Sequence, residues 1–190
     1  MAGVSGGRIE TAALRQNLED QLDRLMTQLE ELEEIKGDMD QSEWEGIRND
    51  TLEELKHFSN SLDKMLAGDM TLVDQLSSLR LATRAAISDA FKTPEVIRMF
   101  AKKQPGQLRQ RLSDLERDMK FQKVSAPKFH QQKTEILSAL KRLGDKITPL
   151  EEDYLSQNMN AALGLLEEVS EQIIGEDVIK VAKQQVNNDK

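Results

Sequence analysis

The chain has 190 residues, with no cysteine, two histidines, one Trp, one Tyr and five Phe, and 34 acidic against 26 basic side chains leave a net charge of −8. Without Cys there is no disulfide framework, thiolate nucleophile or Cys-ligated metal, and His57 and His130 alone are too few for zinc hydrolase chemistry. The longest uncharged run, 154–166, is 13 residues and polar in part, too short to span a bilayer, and MAGVSGGRIE at the start has no apolar signal core. The expectation is an intracellular protein of the cytoplasm or nucleus, neither secreted nor membrane-bound.

The charge is organised in blocks. Residues 1–75 carry 7 bases and 18 acids (−11), residues 76–148 carry 16 and 7 (+9), and residues 149–190 carry 3 and 9 (−6). Such blocks are either solvated faces with separate surface roles or opposite faces that pack on each other.

All four prolines fall between residues 94 and 149, and alternating runs of β-branched residues are missing. Leu, Glu, Gln, Lys, Arg and Ala, the strong helix formers, fill the segments instead. The fold class is all-α, with an unstructured terminus at 1–8. The first helix spans 9–36 and carries Leu18, Leu22, Leu25, Leu29 and Leu32 at alternating spacings of 3 and 4, a seam of about two and a half heptads. Gly37 suits the helix end, and Ser42 with Glu45 matches a capping box for the next helix. That helix bears Ile47, Thr51, Leu55, Phe58, Leu62 and Leu66, so the region 9–67 reads as an antiparallel hairpin or short coiled coil. Its seam either forms the hairpin's own core or joins two copies through 14–36, as in a self-associating scaffold.

A basic helical region follows at 70–122. Thr71 and Asp74 open a helix through Leu72, Leu76, Leu79, Ala86 and Phe91, and Thr93-Pro94-Glu95 starts a short one with Val96, Ile97 and Phe100. After the Pro105-Gly106 turn signal, a further helix carries Leu108, Leu112 and Leu115. Between residues 98 and 111 stand five bases and no acid: Arg98, Lys102, Lys103, Arg109 and Arg111. A phosphate-binding surface needs such a cluster, but stacking on single strands needs several exposed aromatics, and Phe100 has core spacing. Weak nucleic-acid binding through 98–111 is therefore the last of the functional alternatives. The segment 120–128, with Pro127, separates this region from the next.

From Phe129 the pattern restarts with Ile136, Leu137, Leu140 and Leu143, ended by Gly144. Thr148-Pro149-Leu150-Glu151 combines a capping box with an N1 proline, the strongest start signal in the chain. A helical domain at 128–170 and a tail at 175–190 complete the organisation. No GxxxxGK[ST] or GxGxxG occurs, and neither histidine has a marked nucleophile, so the sequence offers no catalytic residue, metal site or cofactor.

The stretch 128–169 resembles the helical domain of the inhibitor of β-catenin and Tcf (ICAT) family. The likeness rests on Phe129 two residues before Gln131-Gln132-Lys133, on the helix end Leu140–Gly144, and on the capped run Glu151-Glu152-Asp153-Tyr154-Leu155. A leucine-seam helix ahead of this domain, with FKTPEVIRMFAKKQPGQLR at 91–109, resembles members that join a leucine zipper to an ICAT domain. The resemblance implies an adaptor without catalysis, built of three helices and an extended tail, that binds an armadillo-repeat protein of the β-catenin kind through 128–190. By position it implies helix contacts at Phe129, Lys133 and Ile136, which share one helical face, and tail contacts at Glu176, Asp177 and Val178. Ile136 and Phe129 equally fit the domain's own core. The tail also departs from the family pattern: Ala182 stands where the pattern has a pocket-filling aromatic, and 184–188 lacks the later acids.

Overall fold

The computed structural model describes residues 3–168, and among these no strand occurs. Helix α1 runs Gly3–Glu34, α2 Gln41–Gly68, α3 Val73–Ile87, α4 Pro94–Ala101, α5 Pro105–Lys120, α6 Ala126–Arg142 and α7 Pro149–Asn158. A last helical stretch at 161–168 leads to the end of the described residues. The all-α architecture is therefore as the composition predicts. Helix α1 takes in residues 3–8 as well, where an unstructured terminus is expected from the sequence.

The capping chemistry explains the helix boundaries. A 3-10 turn at Lys36–Asp38 ends the first helix. Asp40, not Ser42, caps α2: its carboxylate accepts from the backbone N–H of Ser42 and Glu43. An acid two residues earlier satisfies the orphan amides first, so the Ser42–Glu45 capping box is not used. Asp69 likewise accepts from the Thr71 N–H and hydroxyl. Helix α3 stops at Ile87 and does not run to Phe91, because Asp89 adopts a positive φ of 55°. At α7, Thr148 and Glu151 form the expected capping box.

The two long helices form an antiparallel hairpin, held at its tip by Trp44, whose indole N–H donates to the Leu32 carbonyl at 3.0 Å. The hairpin is not closed on itself. Helix α1 packs on α4 as extensively as on α2, while α3 lies against both α2 and α4. Leu18, Leu22 and Leu25 are buried and Leu29 half-buried in a core shared with α3 and α4, and Leu32 is buried near the hairpin tip. A fully buried Leu side chain contributes about 1.5–3 kcal/mol, so the seam is a large part of what holds the fold together. Four of its five leucines are spent inside the chain, and Leu29 is the one left half-buried.

The same core continues through Leu108, Leu112 and Leu115 of α5 to Ile136, Leu137 and Leu140 of α6, and on to Leu155 and Leu163. The segments 9–67, 70–122 and 128–170 are thus regions of one packed unit. Where the sequence suggests a separator at 120–128, only 121–125 lies between helices, and it joins α5 to a closely packed neighbour, α6. Apolar residues of both helices had to face something, and each covers the other.

Charge follows the same plan. The basic stretch faces the acidic first helix: Arg98 pairs with Glu30 at 3.1 Å and donates to the Thr27 hydroxyl, and Lys102 pairs with Asp23 at 2.5 Å. Lys103 donates to the Asp74 carbonyl. Arg109 bridges Asp145 and Glu151, each at 2.7 Å, and Arg111 meets Glu95 and Gln132. All five bases of 98–111 have internal partners. The reading in which opposite blocks pack on each other is the one the fold adopts for these bases.

Candidate protein-binding surface

Helix α6 is the centre of the C-terminal region. It buries Gln132, Thr134, Glu135 and Ser138 beside Ile136, Leu137, Ala139 and Leu140. Polar groups sunk this deep call for partners, and Gln132, Thr134 and Glu135 have them. Arg111 donates to the Gln132 side-chain oxygen, and the Thr134 hydroxyl donates to the His130 carbonyl.

Glu135 forms the most consequential of these pairings. Its two carboxylate oxygens accept from the backbone N–H of Lys92 at 2.8 Å and of Thr93 at 3.1 Å, and the Gln131 amide donates to one of them. Thr93 makes no side-chain cap at α4, so a carboxylate some forty residues later does that work. An anion at a helix N-terminus is favoured by the exposed amides and the helix dipole. Burial raises the Glu135 pKa, and the bonds from Lys92 and Thr93 offset only part of the effect. Sequence spacing gives no sign of this residue's role, since its partners lie in a loop distant along the chain.

The three face residues implied by the family resemblance do not sit alike. Ile136 is 0% exposed and belongs to the core. Phe129 is half-buried and His130 exposed at the first turns of α6. The Lys133 side chain is 17% exposed, pairs with Glu116 at 2.9 Å, and lies 4.6 Å from the Tyr154 ring and 5.6 Å from the Phe129 ring. His130 stacks on Tyr154, shares a 2.6 Å hydrogen bond with its hydroxyl, and meets Phe129 edge-on. The result is a ridge of Phe129, His130, Lys133 and Tyr154 across α6 and α7, with the lysine held between two rings. Cation–π contacts of this kind contribute about 0.5–1 kcal/mol each where water reaches them. His130 and Tyr154 join the ridge from outside the predicted set; that their spacing brings them together depends on how α7 folds back on α6. Glu176, Asp177 and Val178 lie outside the described residues.

Among the hollows that adjoin α6, two lie beside Glu135 and Trp44. One, of about 260 Å³, lies between α6, the α3–α4 connection and Leu163, with Glu135 and Gln131 in its wall. The other, of about 450 Å³, is floored by Leu29, Trp44, Leu52, Phe91 and Ile97. Neither gathers a nucleophile with a base. Among the described residues no group of three His, Asp or Glu side chains is placed to hold a metal, and no helix is long and apolar enough to cross a membrane.

No solved structure matches the chain. Its residues 115–189, from the end of α5 through α6 and α7 and beyond the described part, match the family of beta-catenin-interacting protein ICAT.

Proposed function

We propose that the protein is a non-enzymatic, intracellular interaction protein whose C-terminal third docks on an armadillo-repeat protein of the β-catenin type. The observation that carries this reading is the ICAT-family match at 115–189, which spans the helices that present Phe129 and Lys133. Those two side chains, with the neighbouring Tyr154, are the accessible part of the contact face, and Ile136 supports it from beneath. Glu176, Asp177 and Val178 would extend the contact along the partner's groove. Solenoid grooves are long concave surfaces suited to extended ligands, and acids near the end of this chain fit a basic one.

Affinity is set by what the groove pockets receive. Ala182 leaves a Phe-sized pocket empty, a loss of about 2–3 kcal/mol at 25 cal/mol per Å², or roughly 30- to 150-fold in Kd. The test is titration calorimetry of the full chain against the armadillo repeats of β-catenin. The expected result is weak binding that Ala182→Phe with Val186→Glu tightens toward that factor. Nanomolar binding by the unaltered chain contradicts the pocket reasoning. Absence of heat for both proteins rejects this class of partner.

A further inference from the structure

Tyr154 is the chain's one tyrosine and directly follows three acids, Glu151, Glu152 and Asp153. Two of them are already engaged inside the fold, Glu151 by Arg109 and Glu152 by Lys141, each at 2.7 Å. The tyrosine hydroxyl does not point at them. It lies 2.6 Å from His130 Nδ1, on an edge where the Lys133 ammonium is 4.6 Å from the ring centre. We propose that Tyr154 is a phosphorylation site, modified by an acid-directed protein tyrosine kinase, and that His130 and Lys133 receive the phosphate.

Three features of the molecule converge on this assignment. The acidic run supplies the charge pattern that a basic substrate groove selects, one of the ways kinases choose among tyrosines. The helix that carries it can open by itself: α7 has ten residues and rests chiefly on α6. Its anchors are Leu155, the half-buried Tyr154, the Thr148–Glu151 capping box, the part-buried Arg109–Glu151 pair to α5 and the exposed Lys141–Glu152 pair. Local opening of such a peripheral unit leaves the core at Ile136 and Leu137 intact. Finally, the receiving side is basic and preformed. A phosphotyrosine carries about −1.5 to −2 charges and three strong acceptor oxygens. His130 Nδ1 already lies 2.6 Å from the hydroxyl, the Lys133 ammonium lies over the same ring, 4.6 Å from its centre, and Lys133 would exchange Glu116 for the phosphate.

The chemistry is a phosphoryl transfer without redox change. In the kinase, the Tyr154 oxygen attacks the γ-phosphorus of ATP and the bond from that phosphorus to the ADP oxygen breaks. The phenolic proton passes to the kinase's base and then to solvent, leaving the phosphotyrosyl chain and ADP.

The test uses the folded full chain with Mg·ATP and a purified tyrosine kinase domain standardised on a glutamate–tyrosine copolymer, read by intact mass. One phosphate per chain is expected, absent in Tyr154→Phe and added faster in Thr148→Ala, where loss of the capping box loosens α7. A folded chain that stays unmodified while the free peptide 146–158 is phosphorylated overturns the assignment, as does an unchanged rate in Thr148→Ala. The receiving pair is tested by removing the phosphate with a tyrosine phosphatase. Dephosphorylation should be about tenfold faster in His130→Ala with Lys133→Ala, the factor expected for one lost charge-assisted bond. Equal rates in the two proteins overturn the receiving role.

Discussion

Leu22 tests whether the leucine seam is internal core. It lies midway along α1 and is 1% exposed, within a cluster that includes Leu55, Leu62, Leu76 and Phe100. Leu22→Ala removes three methyl or methylene groups' worth of burial and leaves a cavity that long, mutually braced helices can only partly close. The transfer loss and cavity together put the cost at about 3–5 kcal/mol. For a chain of this size that lowers Tm by roughly 6–20 °C. The assay is urea unfolding followed by the fluorescence of Trp44, the chain's one tryptophan, which sits at the tip of the same hairpin. Leu150→Ala, at a position 82% exposed, is the control and should change stability by no more than about 0.5 kcal/mol. Because the seam closes within one chain, the midpoint must be the same at micromolar and at hundredfold higher protein concentration. A midpoint that rises with concentration, or a cost below about 1 kcal/mol, refutes the reasoning and returns the seam to an intermolecular role.

Glu135 has a pKa raised above its ordinary 4.5 by burial, so its contribution is largest when protonated, is fully present below that value and is lost as pH rises through the raised one. The stability difference between wild type and Glu135→Gln should therefore grow in favour of wild type as pH falls from 7 toward 4.5, and a flat or opposite trend in parallel denaturation curves contradicts the assignment. Arg98→Glu should destabilise the fold by roughly 1–2 kcal/mol, since it sets a third negative charge beside Asp23 and Glu30, and half a molar salt should recover part of the loss in calorimetric scans.

What could be read from the sequence was whatever depends on near neighbours. The 3.6-residue spacing of Leu55, Phe58 and Leu62 marks one face of α2 whatever covers it, and Thr148 with Glu151 caps α7 by contacts three residues apart. Helix boundaries moved where a competing short-range acceptor intervened, as Asp40 did ahead of Ser42. The assembly of helices was not readable in the same way. Apolar spacing says that Leu18 and Leu25 are covered but not that α4 does the covering, so a hairpin and a dimer fit the same seam. Opposite charge blocks were visible, yet their contact depends on α4 crossing α1, which joins Asp23 to Lys102 over 79 residues. For Ile136 and Phe129 contact and core roles could not be told apart, because anchors and core residues share one apolar spacing; depth separates them, Ile136 being 0% exposed and Phe129 half-buried. Glu135 gave no signal at all, since its value lies in two backbone amides of a remote loop.

The crossing of α1 and α4 also has a consequence during synthesis. Helix α1 is complete at Glu34, but α4 ends only at Ala101. At translation rates of about 5–20 residues per second, the two are separated by roughly 3–13 s. Throughout that interval Leu22 and Met26 have only part of their final cover, and the acids at 23 and 30 lack the cations that will neutralise them. Negative charge along the same helix keeps neighbouring nascent chains apart while its leucines wait. Of the −11 carried by the first 75 residues, the arrival of Arg98 and Lys102 neutralises the part at Asp23 and Glu30.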